Sequence, residues 1–151
     1  MVIVVVDASV AVKWFIREHA DEHDTETATE VLLGIYDGRA RMIEPPHFLS
    51  EVASVLVRKN LELAVRSLDR LSRINWETAE SIRIYALAME LSARLHHHLF
   101  DTLYHATSLL TEGAIFVTAD ERYYEKAHGQ GSIARLSDFE LPGMTGDVPR
   151  H

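Results

Sequence analysis

Val2-Ile3-Val4-Val5-Val6-Asp7 places five apolar residues, four of them Val, in front of a carboxylate. A short continuous apolar run suits a strand buried on both faces, as in a parallel sheet, whereas a half-exposed strand alternates. After Asp7 a helical pattern runs from Ala8 to Arg17, with Val10, Ala11, Trp14 and Phe15 on one side. Open α/β sheets form their ligand crevices at the carboxyl ends of such strands. The same arrangement recurs in Ala114-Ile115-Phe116-Val117-Thr118-Ala119-Asp120. Two strands therefore deliver two acids to one sheet edge.

Between them the pattern alternates. Glu18 to Glu26 is polar and reads as a loop, with Thr25 or Thr27 as the cap of a helix whose stripe is Ala28, Val31, Leu32 and Ile35. Arg39 to Ile43 is a short strand closed by Glu44-Pro45-Pro46, followed by a helix from about His47 to Asn60. Leu63 to Ile74 is amphipathic, Leu68, Leu71 and Ile74 facing in against Arg66, Arg70 and Arg73. Asn75 to Glu77 is a brief strand. Thr78 with Ser81 begins a long helix that runs through Ile82, Tyr85, Met89 and Leu95 and ends in His96-His97-His98. Asp101 opens the next helix, which Glu112-Gly113 stops; Glu121 to Lys126 is a short helix and Ala134 to Leu136 an edge strand. The expected fold is a single-domain α/β protein, a doubly wound parallel sheet flanked by helices on both faces. The domain spans residues 1–140, and residues 141–151 form a Gly- and Pro-containing tail.

With 151 residues, 47% of them hydrophobic, the chain can bury a real core. No apolar run approaches the roughly 20 residues that span a bilayer, and Met1-Val2-Ile3 supplies no basic leader, so a cytoplasmic protein without membrane contact is expected. The absence of Cys excludes disulfides and thiolate metal sites. A net charge of −8 argues against a broad, nonspecific nucleic-acid binder, but an acidic metal pocket carries negative charge of its own.

Four acids stand out by context. Asp7 and Asp120 end apolar strands, Glu51 sits in an otherwise uncharged helical stretch from Pro46 to Leu56, and Asp101 lies between Leu99-Phe100 and Leu103-Tyr104. Asp7, Asp101 and Asp120 each precede a helical pattern, where Asp is also a favoured N-cap. Ser or Thr caps equally well, yet all three positions carry a carboxylate. Converging acids need a counter-ion, and hard oxygens with no His or Cys pattern beside them suit Mg²⁺, with Mn²⁺ as a substitute. Helix N-termini at the same edge add backbone N–H groups suited to phosphate.

Val5-Val6-Asp7-Ala8-Ser9, Glu51-Val52-Ala53, Phe100-Asp101-Thr102-Leu103-Tyr104 and Val117-Thr118-Ala119-Asp120, in that order and spacing, resemble the PIN domain, in particular the toxins of VapBC-type toxin–antitoxin systems. The resemblance runs from the first strand to Leu136. It implies that Asp7, Glu51, Asp101 and Asp120 take the acidic metal positions, with Ser9 and Thr118 as accessory hydroxyls. It further implies an endoribonuclease toxin that hydrolyses RNA phosphodiester bonds, dimerises and is held by a small antitoxin. Thr102 stands where the family more often has Ala, and the triple His is no part of its pattern.

Two other classes compete. A phosphoacceptor receiver domain also clusters acids at strand ends, but expects neighbouring acids after the first strand and a Lys ending a late one; here Ala8-Ser9 follow Asp7. A PIN-like binding module without catalysis would not need all four acids. The role of His96, His97 and His98 stays open between a helix C-terminus and a transition-metal site. His47, four residues before Glu51, reads as a solvated first-turn residue or a catalytic aid. Trp14 and Phe15 read as core or as base-stacking rings. Lys13, Arg17, Arg58, Lys59, Arg122 and Lys126 are candidate phosphate contacts.

Overall fold

The computed structural model describes residues 1–16 and 24–142. Strands β1 (Val2–Val6), β2 (Ala40–Glu44), β3 (Glu77–Thr78), β4 (Ala114–Thr118) and β5 (Ile133–Arg135) form one all-parallel sheet in the order β3-β2-β1-β4-β5. Val4, at the centre, pairs in register with Met42 on one side and Ile115 on the other. Val4, Val5 and Val6 are all 0% exposed. Successive strand residues point to opposite faces, so burial of all three means that both faces are covered.

The cover is α1 (Ala8–Ala11), α2 (Thr25–Tyr36), α3 (Phe48–Lys59), α4 (Leu61–Leu71), α5 (Ile82–Leu95), α6 (Leu99–Leu109) and α7 (Glu121–Ala127). The chain builds β1, β2 and β3 outward in one direction, then crosses back to lay β4 and β5 on the other side of β1. The order reverses between β1 and β4, and the crevice at such a switch point is where open sheets bind ligands. This order is not the 2-1-3-4-5 of receiver-type folds, which removes the phosphoacceptor reading.

Several local expectations are corrected. The first helix is only one turn, continued by a 3-10 turn at Val12–Trp14; Arg17 and most of the Glu18–Glu26 loop lie outside the described residues. Neither Thr caps α2. Thr25 is its first residue, and Asp24 precedes it at φ 58 with no side-chain capping bond. On α4 Leu68 is exposed, while Ser67 and Leu71 face in. On α5 the inward stripe is Ile84, Ala88 and Leu91, which pack with Leu103 and Ala106 of α6, while Ile82 is 84% exposed. Leu141 is buried, and a Cβ at Gly34 would collide with it; residues 143–151 lie outside the described residues.

Candidate active site

Asp7 leaves β1 as the N-cap of α1. Its Oδ1 accepts the Ser9 backbone N–H at 3.3 Å, and its Oδ2 accepts the Thr118 hydroxyl at 2.6 Å. Thr118 Oγ1 in turn accepts the Asp120 backbone N–H at 3.0 Å, and Ser9 Oγ accepts that of Ala119 at 3.2 Å. These bonds fasten the ends of β1 and β4 together across the switch point. Asp120 caps α7 through Oδ1, which accepts the Tyr123 N–H at 3.0 Å. The N–H groups of Ser9 and Tyr123 are thus occupied by carboxylates and are not open to phosphate.

Asp101 is no cap. The N-cap of α6 is His98, and Asp101 sits in the first turn, leaving its carboxylate free of the helix end. Its Oδ2 lies 2.6 Å from His97 Nε2. Ligand atoms of Asp7, Glu51 and Asp101 all fall within 4.8 Å of one another, as do those of His97, Asp101 and Asp120. Asp101 belongs to both groups. All four acids of the sequence reading therefore gather at one edge, together with a His that the reading kept apart from them.

Burial pushes the Asp7 carboxyl up to about 7; the Thr118 hydroxyl opposes the rise, and Asp101 and Glu51 add to it. Glu51 is half-buried and also raised, first by burial, against the Tyr104 hydroxyl that donates to its Oε2 at 3.0 Å, with Asp101 adding to the rise. Desolvation and like charge both penalise ionisation here.

Two residues of this edge escaped the sequence reading. Tyr104, one turn beyond Asp101 on α6, is fully buried, stacks on Phe116 at 5.6 Å and anchors Glu51. Spacing of i, i+3 from Asp101 was the available signal. Glu44, at the end of β2, is 0% exposed; its Oε1 accepts the Val6 N–H at 2.6 Å, while Oε2 has no hydrogen-bond partner among the described residues. Burial lifts its carboxyl well above the usual range against the Val6 bond, and Asp7 and Glu51 add to the rise. An acid tipping an apolar strand was the signal that singled out Asp7, and Met42-Ile43-Glu44 carries it too.

Other candidates resolve differently. His47 is half-buried. Its ring packs on Tyr104 at 4.6 Å and Phe100 at 5.4 Å, its Nε2 meets the Phe100 carbonyl at 2.8 Å, and burial lowers its pKa. Trp14 is core, its Nε1–H donating to the Ala28 carbonyl at 2.8 Å, and the Arg70 guanidinium covers Phe15. Lys13 is buried, Arg58 and Lys59 end α3 in solvent, and Arg17 is outside the described residues. His96 does end α5, in a left-handed conformation at φ 51.

The family model of the PIN domain matches residues 4–129. The chain belongs to the PIN domain family. Its fold is similar to the crystal structure of VapBC2 from Rickettsia felis bound to a DNA fragment from their promoter, with a TM-score of 0.64 at 14% identity, covering 88% of this chain and 98% of that one. It is also similar to PAE2754 from Pyrobaculum aerophilum, with a TM-score of 0.62 at 15% identity, covering 90% of each chain. No curated protein matches the sequence. At these identities the likeness shows the fold. Among the described residues of this PIN domain, no helix is long and apolar enough to cross a membrane.

Proposed function

We propose that this PIN domain is a Mg²⁺-dependent endoribonuclease acting as the toxin of a toxin–antitoxin pair in the cytoplasm. Asp101 carries the reading, because its carboxylate joins the Asp7–Glu51 group to the Asp120 group. Three carboxylates converging without a thiol fit a hard divalent cation, Mg²⁺ or in its place Mn²⁺. Asp7, Glu51 and Asp101 would hold it, with Asp120 completing the shell directly or through water. A cation bound there supplies a more acidic water and compensates charge gathering on the phosphate.

The chain's own residues orient the acids. Thr118 fixes Asp7 Oδ2, Tyr104 fixes Glu51 Oε2, and His97 fixes Asp101 Oδ2. With an ordinary value near 3.8 raised to about 7, Asp7 is only partly ionised at neutral pH until positive charge arrives. Cleavage of structured RNA should require Mg²⁺ or Mn²⁺, stop in EDTA, and be abolished by Asp7→Asn. Hydrolysis that persists in EDTA overturns the metal mechanism, and a wild type inert on every RNA leaves a PIN-like binding module.

The antitoxin reading draws on an apolar groove between α3 and α4, where Val57 and Val65 are 48% and 61% exposed beside Leu56 and Leu68. A helix laid into such a groove, with a basic tail reaching toward an acidic edge, suits a chain of net charge −8. The Rickettsia felis neighbour being a VapBC2 complex is in keeping with this. Homodimerisation draws on Ile82 and Met89, apolar and exposed on α5.

A further inference from the structure

A cleft of about 500 Å³ opens beside the acidic edge, lined by His96, His97 and His98 at the end of α5 and by Arg122 and Lys126 of α7. It shares His97 with the acidic cluster. No Asp or Glu lines it, although the chain carries 23 acids against 15 Lys and Arg. Elsewhere the cations Arg39, Arg41, Arg73 and Arg135 are all neutralised by carboxylates. The Arg122 side chain makes no hydrogen bond or ion pair among the described residues. Lys126 spends one N–H on the His96 carbonyl at 3.1 Å and approaches His97 Nδ1 at 3.4 Å. It meets no carboxylate.

The construction of the cleft is specific. His97 N–H donates to the Ser92 carbonyl at 3.2 Å, and the Ser92 hydroxyl donates to the His97 carbonyl at 2.6 Å. These bonds hold the turn that follows His96 against α5, and the Lys126 bond to the His96 carbonyl ties that turn to α7. Arg122 and Lys126 are four residues apart on one helix, so they share a face. That helix is capped by Asp120 itself. At 1.5 Å per residue, Lys126 stands roughly 9 Å along the axis from the acid cluster. Two cations without a carboxylate partner among the described residues, Arg122 in the first turn after Asp120 and Lys126 one turn further, are placed to meet a polyanion that already has one phosphate at the acids.

We propose that this cleft is a phosphate subsite that holds the backbone of the substrate strand next to the phosphate being cut. Arg122 and Lys126 contact its phosphodiester oxygens, and the imidazoles of His96 and His98 form the floor. The subsite rests on the nuclease reading above for the identity of its ligand. It explains how a chain of net charge −8 holds a nucleic acid: local cations beside the reactive edge supply the contact that overall charge opposes.

The test is RNA binding in the Asp7→Asn background with Mg²⁺, followed by fluorescence anisotropy of a labelled oligoribonucleotide from 50 to 200 mM salt. Arg122→Gln and Lys126→Gln should each weaken binding roughly three- to tenfold at the lowest salt, and each should flatten the salt dependence by about 0.7 in log–log slope, the single-strand value per phosphate contact. Arg122→Lys should restore the slope. Arg66→Gln, an equal charge change on the exposed face of α4, should leave both affinity and slope unchanged, and thermal melts should show all variants folded. Unaltered affinity and slope in Arg122→Gln, or an equal loss in Arg66→Gln, overturns the subsite. Wild-type cleavage is measured separately. If the slopes change and the wild type cuts no RNA, the nuclease reading fails while the subsite stands.

Discussion

The Glu44 side chain accepts the backbone N–H of Val6 at 2.6 Å, taking the place of a main-chain partner where β1 and β2 part. The β1–β2 register ends at Val4 and Met42, and the next amide of β1 facing that side would otherwise be a buried orphan. The carboxyl fills this role from full burial, with its second oxygen unpartnered among the described residues.

Glu44→Gln should therefore change stability in a pH-dependent way. A carboxyl whose pKa is raised on folding costs nothing below its unfolded value near 4.5, and its penalty grows as pH rises toward the folded value. Gln keeps an oxygen for Val6 N–H and removes the titration. The melting temperature of Glu44→Gln relative to wild type should rise steadily from pH 5 to pH 8 in EDTA. A constant difference would mean that folding does not raise the Glu44 carboxyl. Glu44→Ala should lose about 1–3 kcal/mol near pH 5 through the orphaned amide, a loss that shrinks as pH rises because the titration leaves with the side chain.

Thr118 separates geometry from charge. Thr118→Val keeps the shape but removes the hydroxyl that donates to Asp7 and accepts from Asp120. It should cost about 1–3 kcal/mol as two buried groups lose a partner. Because that hydroxyl holds the Asp7 pKa down, its loss should move Asp7 above about 7 and displace the acid limb of the cleavage–pH profile upward. Thr118→Ser should restore the profile. A profile unmoved in the Val variant would remove Thr118 from the orientation of Asp7.

How much of this was legible follows from the kind of signal each residue gives. β1 and β4 are continuous apolar runs that end in Asp, so the sheet centre and two of the acids could be read directly. Glu44 tips a strand in the same way, but Pro45 and Pro46 behind it made the acid look like part of a turn. On α5 two stripes have helical spacing, Ile82-Tyr85-Met89 and Ile84-Ala88-Leu91; the second is buried because Ala88 lets α6 approach closely. His97 was beyond reach because the chain reverses at His96. Only that left-handed turn decides which of three adjacent imidazoles meets Asp101.

The groove between α3 and α4 gives a partner test. Val57→Asp and Val65→Asp lie on exposed positions and should alter the melting temperature little. Each should abolish co-purification with the product of the adjoining antitoxin gene, and with it the rescue of growth. Rescue undiminished by both changes would place the antitoxin elsewhere.

Asp101→Asn tests the cluster as a whole. Asp101 raises both Asp7 and Glu51, and it caps no helix, so Asn removes a repelling charge without unmaking a helix end. With Asp7 raised from 3.8 to about 7, the apo protein loses stability as pH climbs through that interval and stays at the lower level above it. Relief of this repulsion should make Asp101→Asn more stable than wild type at pH 8 by about 1 kcal/mol, and no more stable near pH 4, where Asp7 and Glu51 are protonated in both. The bond to His97 Nε2 survives, because the Asn oxygen still accepts. Mg²⁺ should reverse the order. A ligand at 100 times its Kd stabilises the folded state by about 2.7 kcal/mol, and the variant, lacking the carboxylate common to both ligand groups, should gain far less. Thermal melts of both proteins across pH in EDTA, then across Mg²⁺ concentration at pH 8, read both effects. Equal Mg²⁺-induced shifts in the two proteins would exclude Asp101 as a ligand.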